Sequence, residues 1–215
     1  MKGPVVATIL AVMACGAVAH AEDGPFEMRV RAVDIDPANG SDAVPGLAIP
    51  TDAIRVNNKV IPEIDLEYYF TPHWSTELIL TYPQNQTVTV QKSALGGPTD
   101  IGSFRHLPPV LTVKYGFFPD APIRPYIGVG VNITYIYDVR LSVPTVGNLD
   151  LSNWSVGPAI QVGADWQLSK HWYINTDIKW AMLRANITLN DQHVSQAQLD
   201  PFLFGLGVGY RFGGN

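Results

Sequence analysis

An all-β fold, eight antiparallel strands closed into a transmembrane barrel, is what this sequence predicts, and three observations predict it. The first is a composition that is apolar yet carries no long apolar run. Hydrophobic residues make up 47% and charged residues only 15% of the 215 positions, where a soluble domain carries about 25% charge. After the first 21 residues, no segment reaches the roughly 20 uninterrupted apolar residues of a helical span. The second is alternation at the C-terminal end. Phe202, Phe204, Leu206, Val208, Tyr210 and Phe212 occupy every second position, with Gly205, Gly207, Gly209 and Arg211 between them. Such a strand has one greasy face and one small or charged face. The third is a secretory leader: Lys2, the apolar stretch Val5 to Val18, then Ala19-His20-Ala21 as a small-x-small cleavage site. The leader is too short to cross a bilayer as a helix. An exported chain that carries its apolar residues in alternation closes them into a barrel, the one sheet that satisfies its backbone in lipid. The domain reading is a signal peptide over 1–21 and an outer-membrane barrel over 22–215. The one Cys, Cys15, lies in the leader, which leaves the mature chain no thiol for a disulfide.

Eight strands follow in order. The first sets Phe26, Met28, Val30 and Ala32 against Glu27, Arg29 and Arg31. The second sets Ile64, Leu66, Tyr68 and Phe70 against Glu63, Asp65, Glu67 and Tyr69. The third sets Thr76, Leu78, Leu80 and Tyr82 against Glu77, Ile79 and Thr81. The fourth sets Leu111, Val113, Tyr115 and Phe117 against Thr112, Lys114 and Gly116. The fifth carries Ile127, Val129, Val131, Ile133 and Tyr135 opposite Gly128, Gly130, Asn132 and Thr134. The sixth carries Ile160, Val162, Ala164 and Trp166 opposite Gln161, Gly163, Asp165 and Gln167. The seventh carries Trp172, Ile174, Ile178 and Trp180 opposite Tyr173, Asn175, Asp177 and Lys179. The C-terminal segment is the eighth.

The connections alternate between short and long. Residues 71–73, 119–124 and 169–171 are tight turns, whereas 34–57, 84–107, 138–153 and 189–199 read as long loops rich in Gly, Pro, Asp, Asn and Ser. Short periplasmic turns and long extracellular loops are how outer-membrane barrels are built. Aromatics beside the short turns (Tyr68, Phe70, Trp74, Tyr115, Phe117, Trp166, Trp172, Tyr210) form one interfacial girdle, and Tyr82, Tyr137, Trp154, Trp180 and Phe202 supply the other. A soluble β-sandwich would expose fewer aromatics and more Lys and Glu.

The charges on the inner faces are the strongest chemical signal. Arg29, Arg31, Lys114, Lys179 and Arg211 meet Glu63, Asp65, Glu67, Glu77, Asp165 and Asp177. Eight strands leave an interior just wide enough for side chains, so the two signs must pair and plug the lower lumen. Lys and Arg total 14 against 19 Asp and Glu, and no basic stripe suggests nucleic acid. His spacing matches no metal site. Ser103 and His106 are close in sequence, but a hydrolase needs a positioned acid and an oxyanion hole besides. No cofactor and no enzymatic activity are expected.

Several blocks together resemble the outer membrane protein W family: Met28-Arg29-Val30-Arg31, Thr76-Glu77-Leu78-Ile79-Leu80, the run Leu107 to Tyr115, Arg124 to Asn132, Gln161 to Trp166, Trp172 to Asp177, Leu199-Asp200-Pro201-Phe202 and Gly209-Tyr210-Arg211-Phe212. The resemblance implies a narrow lumen with an apolar pocket, the passage of small hydrophobic molecules across the outer membrane, and a hydrophobic pair, Ile79 and Trp154 here, that pinches the pocket. It also implies that the barrel-assembly machinery reads the terminal Phe. Here Gly213-Gly214-Asn215 follow Phe212, which departs from that pattern. The first loop, with Asp34-Ile35-Asp36-Pro37 and Val60-Ile61-Pro62, is less typical as well.

A solute above a plugged lumen must leave sideways into the lipid. Pro62, Pro83, Pro108, Pro109 and Pro158 are candidates for that gate, because proline lacks a ladder donor; strand termination is the plainer reading. Trp154 and Gln161 are an odd number of positions apart, so a regular strand puts them on opposite faces. A bulge at Pro158 turns Trp154 inward, and an unbroken strand leaves it in the outer girdle. The expected function is passive uptake of small hydrophobic molecules with lateral exit, with outer-membrane lipid as surroundings. The alternative is an adhesive barrel that acts through its loops.

Overall fold

The computed structural model describes residues 24–44, 48–93, 96–143 and 147–213. The leader expected over 1–21 and the last two residues of the tail lie outside them. In chain order the strands are β1 (Phe26–Asp36), β2 (Gly40–Ser41), β3 (Ile54–Val56), β4 (Lys59–Tyr69), β5 (Trp74–Thr81), β6 (Gln84–Val90), β7 (Thr99–Leu107), β8 (Val110–Gly116), β9 (Ile123–Val143), β10 (Gly147–Leu151), β11 (Trp154–Gln167), β12 (Trp172–Ala181), β13 (Arg184–Leu189), β14 (Gln192–Gln198) and β15 (Phe202–Phe212).

Eight of them form the wall, in the order β11-β12-β15-β1-β4-β5-β8-β9, and pairing of β9 with β11 closes the ring. Every pairing is antiparallel. The alternation that marked the strands is the alternation of burial. Along β1, Phe26, Met28 and Val30 are exposed while Glu27, Arg29 and Arg31 are buried. The same inversion, apolar out and charged or small in, holds for Ile64 and Leu66 against Glu63, Asp65 and Glu67, and for Leu206 and Val208 against Gly205 and Gly209. An outer face of Val, Ile, Leu and Phe with charges inside is stable in lipid and not in water. At about 3.3 Å per residue and a tilt near 45°, an eleven-residue strand rises roughly 25 Å, the height of the apolar band such barrels present.

The periplasmic girdle is built of edge-on ring pairs. Trp74 meets Tyr115 at 5.0 Å, Tyr115 meets Phe117 at 5.0 Å, and Tyr210 meets Trp172 and Phe212 at 5.0 Å each. Three hairpins of this end are as short as expected, between β4 and β5, β8 and β9, and β11 and β12.

The long connections are a correction. They are largely sheet, not irregular loop. β9 runs for 21 residues and carries β7 and β10 on its upper half; β6 pairs β7, β3 pairs β6, and β13 and β14 continue from β10. The barrel therefore extends outward as a second, apolar-lined storey. Its strands change phase at bulges, which hid them from a period-two reading. On β9, Tyr126, Asn132, Thr134 and Ile136 face inward at even positions and Leu141 and Val143 at odd ones. The switch falls between the pairs Arg105↔Tyr137 and Ser103↔Arg140, at Asp138, whose φ is 51°. On β7 the inward set is Ile101, Phe104 and His106; Ile101 is the extra residue, between the pairs Thr89↔Asp100 and Val88↔Gly102, and Gly102 beside it has a φ of 131°. A Cβ there would stand 1.8 Å from the Arg140 carbonyl oxygen, so only Gly fits.

Candidate functional site: an apolar upper lumen over a charged plug

The inward positions change character at one level of the barrel. On β1, Glu27, Arg29 and Arg31 give way to Val33 and Ile35. On β4, Glu67, Asp65 and Glu63 give way to Ile61. On β5 Glu77 is followed inward by Ile79, on β8 Lys114 and Thr112 by Val110, and on β12 Asp177 and Lys179 by Ala181. Below this level the lumen is ionic; above it the lumen passes a few uncharged polar groups, His106, Gln84 and Thr134 among them, and becomes largely apolar.

The plug is dense. Arg29 reaches Glu27 at 2.9 Å, Glu77 at 3.0 Å and Asp165 at 3.0 Å, and also pairs with Glu67. Arg31 reaches Asp65 at 2.6 Å, Glu63 at 2.8 Å and Asp177 at 2.8 Å. Lys114 meets Glu67 at 2.9 Å and stands over the Tyr126 ring. Lys179 meets Glu63 at 3.4 Å and Asp177 at 3.6 Å. Arg211, at the periplasmic mouth, donates to the Gly24 carbonyl and stacks on Tyr69. Every predicted member of the network thus lies in the lumen. Members that went unassigned in the sequence include Glu27, Gln161, which donates to Glu77 at 2.7 Å, Asn175, which accepts from Arg31 at 3.0 Å, and Tyr69, which donates to Glu27 at 2.9 Å. The same alternation that marked Arg29 marks them.

The glycines of β15 make room for this. A Cβ on Gly207 would stand 2.6 Å from Arg31 Cγ, and one on Gly205 2.3 Å from Asp177 Oδ1. Two arginines and their carboxylates fill the space that side chains on β15 would take. Removing charges from water is costly, so the plug's contribution is closure and register more than net stability.

Ile79 is buried at the changeover, packed with Val110, Ala159 and Ala181. Trp154 does not join it. The β9–β11 ladder runs without interruption from Trp154↔Tyr135 to Trp166↔Ile123, so Pro158 creates no bulge and the phase never changes. Trp154 is 53% exposed and packs its ring 4.8 Å from Tyr135, in the outer aromatic girdle. The Ile79–Trp154 pair expected across the lumen is not formed.

Above Ile79 lies a cavity of about 320 Å³, walled by Ile54, Val88, Val90, Ile101, Phe104, Ile136, Leu141, Leu151, Leu183, Ile187 and their neighbours. These side chains form the largest apolar cluster among the described residues. The resemblance implied an apolar pocket, but these wall residues were not named from the sequence, because most of them lie in segments taken for loops.

The prolines sit at interruptions of the wall. Pro83 and Pro108-Pro109 separate the β5–β8 ladder, which ends at Ile79↔Val110, from the β6–β7 ladder, which begins at Gln84↔His106. Pro62 keeps its partner Ala32 on β1, while pairing with β5 starts only at Glu63↔Thr81. Pro158 keeps Val131 on β9, but β11–β12 pairing starts at Ala159↔Ala181. Beyond it, Met182 donates to the Pro158 carbonyl, the Met182 carbonyl takes the Asn132 amide instead, and Arg184 donates to the Ser155 hydroxyl. The seam between β11 and β13 is stitched by side chains where a ladder would otherwise run.

Residues 22–212 match the sequence model of the OmpW family. The chain belongs to the OmpW family. It is 33% identical to the outer-membrane protein y4mB of Sinorhizobium fredii, over 94% of this chain and 93% of that protein. It is 27% identical to PahQ of Pseudomonas aeruginosa, a protein named for a dibenzothiophene metabolism operon, over 89% and 90%. Its fold superposes on the crystal structure of OprG from Pseudomonas aeruginosa with a TM-score of 0.73, at 24% identity, covering 90% of this chain and 99% of the other. This OmpW-family barrel is therefore an outer-membrane protein.

Proposed function

We propose that this barrel carries small hydrophobic molecules inward across the outer membrane, taking them up in the apolar upper lumen and releasing them sideways into the lipid. The observation that carries the reading is the sealed changeover: an apolar cavity of about 320 Å³ stands above a lumen closed by ion pairs. An apolar solute gains by entering such a cavity and gains nothing by crossing fixed charges. Its remaining way out is through the wall. The β11–β13 seam is the favoured exit, because Pro158 removes a donor there and the outward residues beside it, Val156 and Pro158, are exposed on the lipid side. The relative named for a dibenzothiophene operon is in keeping with an apolar aromatic cargo.

The test is entry of naphthalene into cells that carry equal amounts of each barrel. Leu141→Gln places an amide in the cavity wall, far from the plug, and is expected to reduce entry several-fold. A cleavable cross-link between Val156→Cys and Arg184→Cys is expected to reduce entry until it is cleaved. Unchanged entry in both variants overturns the proposal, and loop deletions that abolish binding to a surface would then favour an adhesive barrel.

A further inference from the structure

Between plug and cavity lies a thin polar layer that neither accounts for. His106 is 3% exposed, yet neither of its ring nitrogens meets a hydrogen-bond partner among the described residues. The Thr81 hydroxyl is likewise buried and unpartnered. Gln84, the cross-strand partner of His106, is fully buried with its Oε1 unpartnered. Buried polar groups are nearly always paired, because an unmade hydrogen bond is costly. A neutral imidazole presents one donor and one acceptor.

The space beside these groups is small and well placed. His106 and Thr81 line a crevice of about 40 Å³ that runs down towards Glu63 and Lys179. Leu183 lines both this crevice and the apolar cavity, and the Phe104 ring of the cavity lies 5.8 Å from His106. A volume of that size admits one oxygen with its hydrogen, since a liquid water occupies about 30 Å³, and it excludes a ring. The cavity above it is roughly twice the ~150 Å³ that holds a benzene.

The chemistry narrows the occupant. A carboxylate would face Glu63 with no cation to spare, because Lys179 is already held by Glu63 and Asp177. A carbonyl or ether oxygen can only accept. A hydroxyl can both donate to the ring's acceptor nitrogen and accept from Thr81, so of these groups it alone serves a donor and an acceptor of the layer at once. Resting on the uptake reading above, we propose that the crevice is a head-group subsite. The solutes it takes are small amphiphiles with a single hydroxyl, aliphatic alcohols or phenols, bound with the hydroxyl at His106 and the hydrocarbon in the cavity.

The experiment compares 1-naphthol with naphthalene, two ligands that differ in that one group. The full barrel, ¹⁵N-labelled at histidine, is placed in lipid nanodiscs, and binding is corrected for protein-free discs. Naphthol is expected to shift the His106 imidazole ¹⁵N resonance and to bind about tenfold more tightly than naphthalene, as one added buried hydrogen bond implies. His106→Leu is expected to bind naphthalene as before and to lose the tenfold preference; Thr81→Val, should the leucine variant fail to assemble, is expected to reduce it. Equal affinities in the wild type, an equal His106 shift with both ligands (as water in the crevice would give), or a preference that survives in the variant overturns the subsite while uptake stands. Binding of neither ligand overturns both.

Discussion

Replacing Arg31 by Met asks most directly whether the plug is a paired network. Arg31 is buried with Asp65, Glu63 and Asp177 at 2.6, 2.8 and 2.8 Å. Methionine keeps much of the stem and removes the charge. Glu63 and Asp177 retain Lys179 at 3.4 and 3.6 Å, so Asp65 bears most of the loss. Stranding one buried charge costs about 3–5 kcal/mol. With a urea dependence of about 2 kcal/mol per molar, the unfolding midpoint should fall by roughly 2 M. The lumen also carries more carboxylates than cations: Glu27, Glu63, Asp65, Glu67, Glu77, Asp165 and Asp177 against Arg29, Arg31, Lys114, Lys179 and Arg211. Asp65→Asn added to Arg31→Met should therefore recover part of the stability, which a simple loss of packing would not allow. The assay is urea unfolding in lipid vesicles, read by the loss of the compact, heat-modifiable band. A midpoint within about 0.2 M of wild type, a tenth of the shift expected from these magnitudes, would refute the reasoning, as would a double variant no more stable than the single one.

Three further predictions follow from geometry. Trp154→Phe should reduce the quenching of protein fluorescence by brominated acyl chains and leave naphthalene entry at the wild-type level, since Trp154 is exposed on the outer girdle; reduced entry would return it to the lumen. Gly102→Val should strain the β7 bulge by about 1–3 kcal/mol, because φ is 131° and a Cβ meets the Arg140 carbonyl; hydrophobic ligands should bind less while the band stays heat-modifiable. Deleting Phe212 onward should impair assembly more than deleting Gly213 onward, because Phe212 closes the β1–β15 ladder opposite Phe26; equal effects would argue against Phe212 as the residue that the assembly machinery reads.

The wall was legible in the sequence because a strand in lipid has one rule. Its outer residues must be apolar, and in so narrow a barrel its charged inner residues must be paired. Period two alone therefore placed Arg29, Arg31, Glu63, Glu67, Glu77 and Lys179 in one lumen and Ile79 above them. The level at which the inward residues change from charged to apolar, Arg31 to Val33 and Glu63 to Ile61, is written there too. What tertiary structure decided is phase. Trp154 faces lipid because the β9–β11 register stays unbroken through Pro158, and a sequence does not say whether a proline interrupts a ladder or merely borders it. The outer storey was hidden for the opposite reason. Bulges at Gly102 and Asp138 let one strand present Phe104 and Ile101, or Ile136 and Leu141, to the same cavity at spacings that no single period contains. A bulge is stable only where a neighbouring strand takes up the extra residue, so the pairing that creates the apolar cavity, and that turns His106 beneath it, exists only once those strands have met.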